Sequence, residues 1–437
     1  MLISKLIKAL ATRGSAIGLS MISMFMISKY LGAELSGLYV FGVTTAIIIS
    51  SIAKLGFDMA LMKKIAHEKA SNNHITKISD YELIVLTVSA CLTLLAIIGS
   101  YAFSKNDMHS NHFNIILILI MASPFLALIS LISGALQGIG SVYSSTAILS
   151  APAIIPLLPI AIRLDNTNIL DIAWSFLIGA IFTYGASKLH LRNKIGKPKT
   201  SHQKRPKFRF EFSRIQDHWP FITFSIAAII QAKVHIYILS AHSLYDQVAI
   251  FNICERVSTI VAFALAAGNS FFAQKFQYYS TRNELYKAQK LGESLTSIVT
   301  FIGGIAAAII IIFSDEILGI AGSDFQPGKK TLMILAISQL ICVATGPVGY
   351  ILIALDEQRS LALATVVSLT LGISLSYFLS PKLGSLGASL SLSISLIVQN
   401  IVCSYLLFKR KNMIIIPFLG QLFKSQITHK PKYQDPR

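Results

Sequence analysis

Apolar residues in this chain run in long blocks, separated by shorter polar breaks. About twelve blocks of roughly 20 residues can be drawn, over 10–30, 38–56, 83–103, 113–135, 143–163, 169–189, 218–241, 248–271, 291–313, 329–354, 361–380 and 384–408. At about 1.5 Å of rise per residue, each is long enough to cross a hydrocarbon layer of about 30 Å as a helix. The pattern predicts an all-α polytopic membrane protein with about twelve transmembrane helices.

Composition strengthens this picture. The 437 residues are 54% hydrophobic and 13% charged, with a mean hydropathy of +0.64, against about a quarter charged in soluble domains. The first block, from about Leu10 to Tyr30, is too long for the apolar part of a signal peptide and reads as a retained first span. Cys91, Cys254, Cys342 and Cys403 are scattered through the blocks. They read as small apolar fillers, and neither a disulfide framework nor a metal site is expected.

The formal charge of +18 reads as a topology signal. With the N-terminus placed in the cytoplasm, six of the 38 basic residues fall on outside segments (Lys29, Lys105, Arg163, Lys329, Lys330, Lys382). Four lie in or at the ends of spans (Arg13, Lys54, Lys233, Arg256), and the other 28 fall inside. Acidic residues divide about evenly, so the asymmetry belongs to Lys and Arg alone, as the positive-inside rule requires. Nucleic-acid binding is not indicated. Both termini are expected in the cytoplasm.

The longest inside segment, about Leu191 to Asp217, carries nine basic residues and separates six spans from six. This organisation predicts an N-terminal half over 1–190, a basic linker over 191–217, a C-terminal half over 218–408 and a basic tail over 409–437. An even number of spans per half makes the halves parallel, as in several secondary transporters. A weak internal repeat agrees: the Ala-Leu steps at Ala135 and Ala354 lie 219 positions apart, and Gly37-Leu-Tyr matches Ala249-Ile-Phe at an offset of 212. Small residues crowd the last span from Gly384 to Ser393 and predict close helix packing. Pro152, Pro156 and Pro159 in span five, and Pro347 in span ten, predict breaks in the helical ladder.

Charges inside the spans carry the functional signal, because an ionised group at mid-bilayer costs roughly 2.5–3.5 kcal/mol on insertion scales. Lys233 in span seven and Glu255 in span eight fall at similar depth on consecutive antiparallel helices, so they are placed to pair. Asn252, Glu255, Arg256 and Thr259 follow an i, i+3, i+4, i+7 spacing and share one face. Gln231 and His235 share a face of span seven. One reading is an ion pair that only fixes two helices. The other leaves Arg256 uncompensated and gives the interior a net positive charge suited to phosphate oxygens. Arg13, in the first turn of span one, either joins that site or snorkels to the interface. Lys54 snorkels, with Asp58 as its i, i+4 partner. The segment from Phe57 to His67 has apolar and basic faces and is expected to lie on the inner membrane surface.

No catalytic constellation stands out, and no cofactor is expected. The stretch from Gly322 to Thr331 has five residues between its glycines followed by Gly-Lys-Lys, and so fails the spacing of a phosphate-binding loop. The twelve spans in two parallel halves, Arg13 early in span one, the turn Gly32-Ala-Glu-Leu-Ser-Gly-Leu-Tyr39 and the step Leu55-Gly-Phe-Asp58 together resemble the Wzx-type O-antigen flippases. These belong to the multidrug/oligosaccharidyl-lipid/polysaccharide (MOP) exporter superfamily. The resemblance implies two six-helix bundles around a central cavity, in a bacterial inner membrane. It further implies transfer of an undecaprenyl-pyrophosphate-linked oligosaccharide from the cytoplasmic to the periplasmic leaflet, without enzymatic chemistry, beside other polysaccharide assembly proteins. Arg256, Lys233, Arg13, Asn252 and His235 would bind the substrate, with Glu255 as a charge partner. An ion-coupled drug exporter is a second possibility and calls for an unpaired carboxylate. A membrane-embedded glycan polymerase is a third and calls for a larger outside loop.

Overall fold

The computed structural model describes the chain except residues 1, 55, 71–77, 105–109, 163–167, 196–212, 243, 282–283, 356, 412, 414, 416 and 418–437. Most of the basic linker and tail therefore lies outside the described residues. Among those described there are only helices and their connections, and nine stretches are long and apolar enough to cross a membrane.

The first of these, α1 (Leu2–Ala53), holds the first two expected spans. Gly32, at φ 73° and ψ 178°, reverses the chain between them. Only glycine takes that backbone angle without steric cost. The helix α2 (Phe57–Ala70) follows, then α3 (Ser79–Ser104). Span four is split into α4 (Ser110–Ile120) and α5 (Ser123–Gly138), with Pro124 in the first turn of α5, where its missing N–H costs nothing. Span five is α6 (Val142–Ile154) and α7 (Leu157–Ile162), broken beside Pro156. The sixth span, α8 (Ile169–Ile195), completes the first group.

In the second group, α9 (Ser213–Ala241) and α10 (Tyr245–Thr281) form a helical hairpin. At 37 residues α10 is about 55 Å long and outruns a hydrocarbon core. Then come α11 (Leu285–Ile312), the short α12 (Ser314–Ala321) and a 3-10 turn, Ser323–Gly328. Span ten is α13 (Lys329–Ala344) and α14 (Val348–Ala354), broken at Pro347, and the chain closes with α15 (Gln358–Leu383) and α16 (Ser385–Lys411). The three stretches that complete twelve are the second arm of α1, the broken α6–α7 and the shorter apolar part of α9, Ile226–Ala241.

Burial is inverted relative to a soluble protein. Phe182, Ile312 and Phe378 are each at least two-thirds exposed, while Ser368, Ser376, Ser380, Ser389, Ser391 and Ser395 are buried between α15 and α16. Those serines give the close approach that the small-residue run predicts. The segment expected on the membrane surface is placed differently. In α2, Phe57, Leu61 and Ile65 are buried in one core with Leu128, Leu131, Ile132 and Leu136 of α5 and Tyr81 and Val85 of α3. Its apolar face is satisfied by protein, and Lys64 lies over the Tyr81 ring.

Three cores define how the groups meet. One runs through both, joining Met24, Leu38 and Phe176 to Ile236, Phe251, Val257 and Val261, at the end away from the linker. At the linker end each group closes its own core, around Leu61, Leu131 and Leu136 in the first and around Phe276, Ile351, Leu361 and Leu407 in the second. The shared core thus joins the two groups, and Phe263 of α10 also reaches Gly14 of α1.

Candidate cationic site

Lys233 and Glu255 each stand eleven residues from Leu244, in the turn between α9 and α10. Antiparallel helices of equal rise bring such positions level. The Lys233 ammonium donates to both Glu255 carboxylate oxygens, at 3.1 and 3.0 Å. The side chains are only 25% and 14% exposed, so the pair is a partly buried ion pair. Glu255 is therefore committed to Lys233.

Arg256, one residue on, turns to a different side of α10. Its Nε donates to Asn252 Oδ1 at 3.0 Å, one helical turn back. This bond uses one donor of five and fixes the guanidinium against a neutral amide. Among the described residues no carboxylate lies within ion-pair distance of it, although the Glu255 charge is felt there. The buried phenol of Tyr39, on the second arm of α1, is also within electrostatic reach of Arg256. Tyr39 is held edge-on to Phe176 at 6.2 Å. Counting Lys233, Glu255 and Arg256, the cluster carries a net charge of +1 where the second group meets α1. It can hold an anion through the free guanidinium donors, with Lys233 available if Glu255 releases it.

The remaining expected positions separate. His235 is fully buried with its ring against Phe251, centroids 5.9 Å apart, and neither nitrogen has a hydrogen-bond partner among the described residues. Gln231 turns away, donating to Ser368 Oγ at 3.2 Å and Ser395 Oγ at 2.7 Å, and ties α9 to α15 and α16. Thr259, expected on the interior stripe, is exposed and donates to its own helix at the Arg256 carbonyl. Arg13 has a helical backbone, but its side chain lies outside the described residues. Lys54 pairs with Asp58 at 2.7 Å beside Ser130, well away in the first group. Tyr39 was not expected in the site. Nothing local marks it, because Arg256, whose charge it feels, comes from the other half of the sequence.

Residues 7–272 match the family described as polysaccharide biosynthesis protein. A probable low-salt glycan biosynthesis flippase of Haloferax volcanii, Agl15, is 25% identical over 248 residues, covering 54% of this chain and 48% of the relative. The chain thus spans about half the length of that curated relative. Among solved structures, the lipid II flippase MurJ in an inward closed conformation superposes with a TM-score of 0.67 at 14% identity, over 92% of this chain and 87% of that one. An outward-facing multidrug resistance MATE family transporter of the MOP superfamily gives 0.65 at 12%, over 91% and 93%. A MOP superfamily transporter from Pyrococcus furiosus gives 0.60 at 12%, over 90% and 94%. At such identities these structures establish the fold alone, and it is the fold of MOP transporters. The family match takes in most of α1, most of α10 and the whole Lys233–Arg256 cluster; the chain belongs to the polysaccharide biosynthesis protein family.

Proposed function

We propose that the protein is a flippase that carries a lipid-linked oligosaccharide from one leaflet to the other by alternating access. The observation that carries this reading is Arg256: a guanidinium with free donors, no carboxylate partner among the described residues, and a position where the two groups of helices meet. Desolvating such a charge in a membrane span is costly, and an anionic head group passing the site offsets that cost. Agl15 is named as a glycan biosynthesis flippase, and its likeness supports a glycan cargo.

The finer reading is an undecaprenyl-pyrophosphate-linked O-antigen or similar unit. Arg256 and Lys233 grip the diphosphate, Asn252 orients the guanidinium, and His235 and Arg13 complete the polar path. The polyprenyl tail stays in lipid, and the halves, 1–190 and 218–408, rock about the site. The Lys and Arg distribution favours termini and linker in the cytoplasm of a bacterial inner membrane, where other polysaccharide assembly proteins supply and consume the cargo. An ion-coupled drug exporter fits less well, since Glu255 is engaged through both oxygens by Lys233.

Depleting the protein tests the reading. Finished lipid-linked units are expected to accumulate on the cytoplasmic leaflet, shielded from a glycan-binding probe added outside. Accumulation on the outer leaflet would place the protein after translocation, as a polymerase or ligase, and end the flippase reading.

A further inference from the structure

The two pieces of span ten have no continuous helical ladder between them. Gly346 takes φ 73° and Pro347 lacks an N–H, so α14 is not held in line with α13 by backbone bonds. Side-chain packing places it instead. Val348, Ile351 and Leu352 of α14 share a core with Phe276 of α10, Leu361 of α15 and Leu407 of α16. Two further members of that core, Met413 and Ile415, follow the end of α16 and are not helical. They are only 2% and 7% exposed. A Cβ at Gly346 would overlap the Thr296 hydroxyl of α11 and stand 3.2 Å from Ile415 Cγ2, so the break is pressed between α11 and this segment. Arg410, in the last turn of α16, pairs with Glu357 in the turn between α14 and α15.

We propose that the segment carrying Met413 and Ile415 is a strap that fixes α14, and that its release frees α14 to swing about Gly346 and Pro347. The strap is anchored at both ends of α14. Arg410 ties it beside the C-terminal end through Glu357, and Ile415 reaches the break at the N-terminal end. The step from Arg410 to Ile415 covers up to about 17 Å of extended chain, and α14 is about 10 Å long at its helical rise. The segment is therefore long enough to run the length of the helix. Its helical neighbours in this core are each supported by their own backbone ladders. The strap is held by two apolar side chains, so it can open locally while the bundle stays folded. Its contacts exist only with α14 in its present position, and losing them shifts the equilibrium toward other positions. Because α14 packs on α10, the helix that carries Arg256, the strap restrains the second group during transport.

This inference rests on the function proposed above for its transport readout, but its main readout needs no substrate, so the two fail separately. Hydrogen exchange is measured on the full chain purified in detergent. Met413→Ser with Ile415→Ser is expected to speed exchange of the α14 amides at least about tenfold and to leave those of α13 unchanged. An unchanged α14 rate, or equal acceleration through α13, would overturn the strap. A second variant keeps the core intact. Thr296 and Ile415 both flank Gly346, so Thr296→Cys with Ile415→Cys tethers the strap to the break, in a background with Cys91, Cys254, Cys342 and Cys403 replaced. Bridged by a short reducible bifunctional thiol reagent, this variant is expected to lose about nine-tenths of its glycan export and to regain it on reduction. Export at the unlinked rate while bridged would equally refute the restraint. Absence of export from every form would count against the function proposed above, and exchange in α14 would still decide the strap.

Discussion

Replacing Arg256 by alanine is expected to cut delivery of glycan to the cell surface by roughly ten- to a hundredfold. The figure follows from a charge-assisted hydrogen bond worth about 1.5–3 kcal/mol, with 1.4 kcal/mol per factor of ten. The guanidinium keeps free donors after its bond to Asn252, so on the proposed function the loss is one of substrate contact. Arg256→Lys retains the charge and forfeits the planar fork, and it is expected to fall between alanine and wild type. The measurement is surface polysaccharide in a strain lacking its own copy, normalised to protein in the membrane. Full surface polysaccharide with both variants would remove Arg256 from the mechanism.

The second large effect concerns the Lys233–Glu255 pair. Lys233→Met strands a carboxylate in a membrane span, and Glu255→Gln strands an ammonium. Each single change is expected to lower stability by about 2.5–3.5 kcal/mol, the insertion-scale cost of an unpaired intramembrane charge, read from thermal unfolding in detergent. The double change Lys233→Met with Glu255→Leu removes both charges and is expected to recover most of that stability, because contacting residues are not additive. Glycan export should remain low in the double variant if Lys233 also holds the diphosphate. Recovery of export together with stability would reduce the pair to a structural tie between α9 and α10.

Much of this architecture was legible from hydropathy. The α9–α10 pairing was readable because a short turn joins the two helices and sets positions 233 and 255 level. Breaks at Pro156 and Pro347 follow from the lost backbone donor and the clash with the preceding turn, whereas α6 runs on through Pro152 and α7 through Pro159, where breaks are equally expected from the sequence. The split of span four was not read. Pro124 lies in a first helical turn, where proline is favoured, so it marks a start rather than a fault. The burial of α2 is not legible for a related reason, since an amphipathic stripe looks the same whether lipid or α5 covers it. Gly32 to Tyr39 could be singled out as a motif, but not as a contact with Tyr245 and Asp324, because long-range packing leaves no periodic trace. The likeness to MurJ and MATE structures adds the fold and leaves the choice of cargo to the charges in α9 and α10.

The central claim is that this chain moves an anionic lipid-linked glycan across a bilayer past Arg256. Purified protein in sealed vesicles that carry a fluorescent polyprenyl-pyrophosphate oligosaccharide in both leaflets tests it most directly. Added quencher or glycosidase reaches only the outer leaflet at first. The account predicts that wild-type protein makes the inner pool accessible, and that Arg256→Ala at equal incorporation slows this by at least about tenfold. An inner pool that stays protected with wild-type protein, or that empties equally fast with Arg256→Ala, would contradict it.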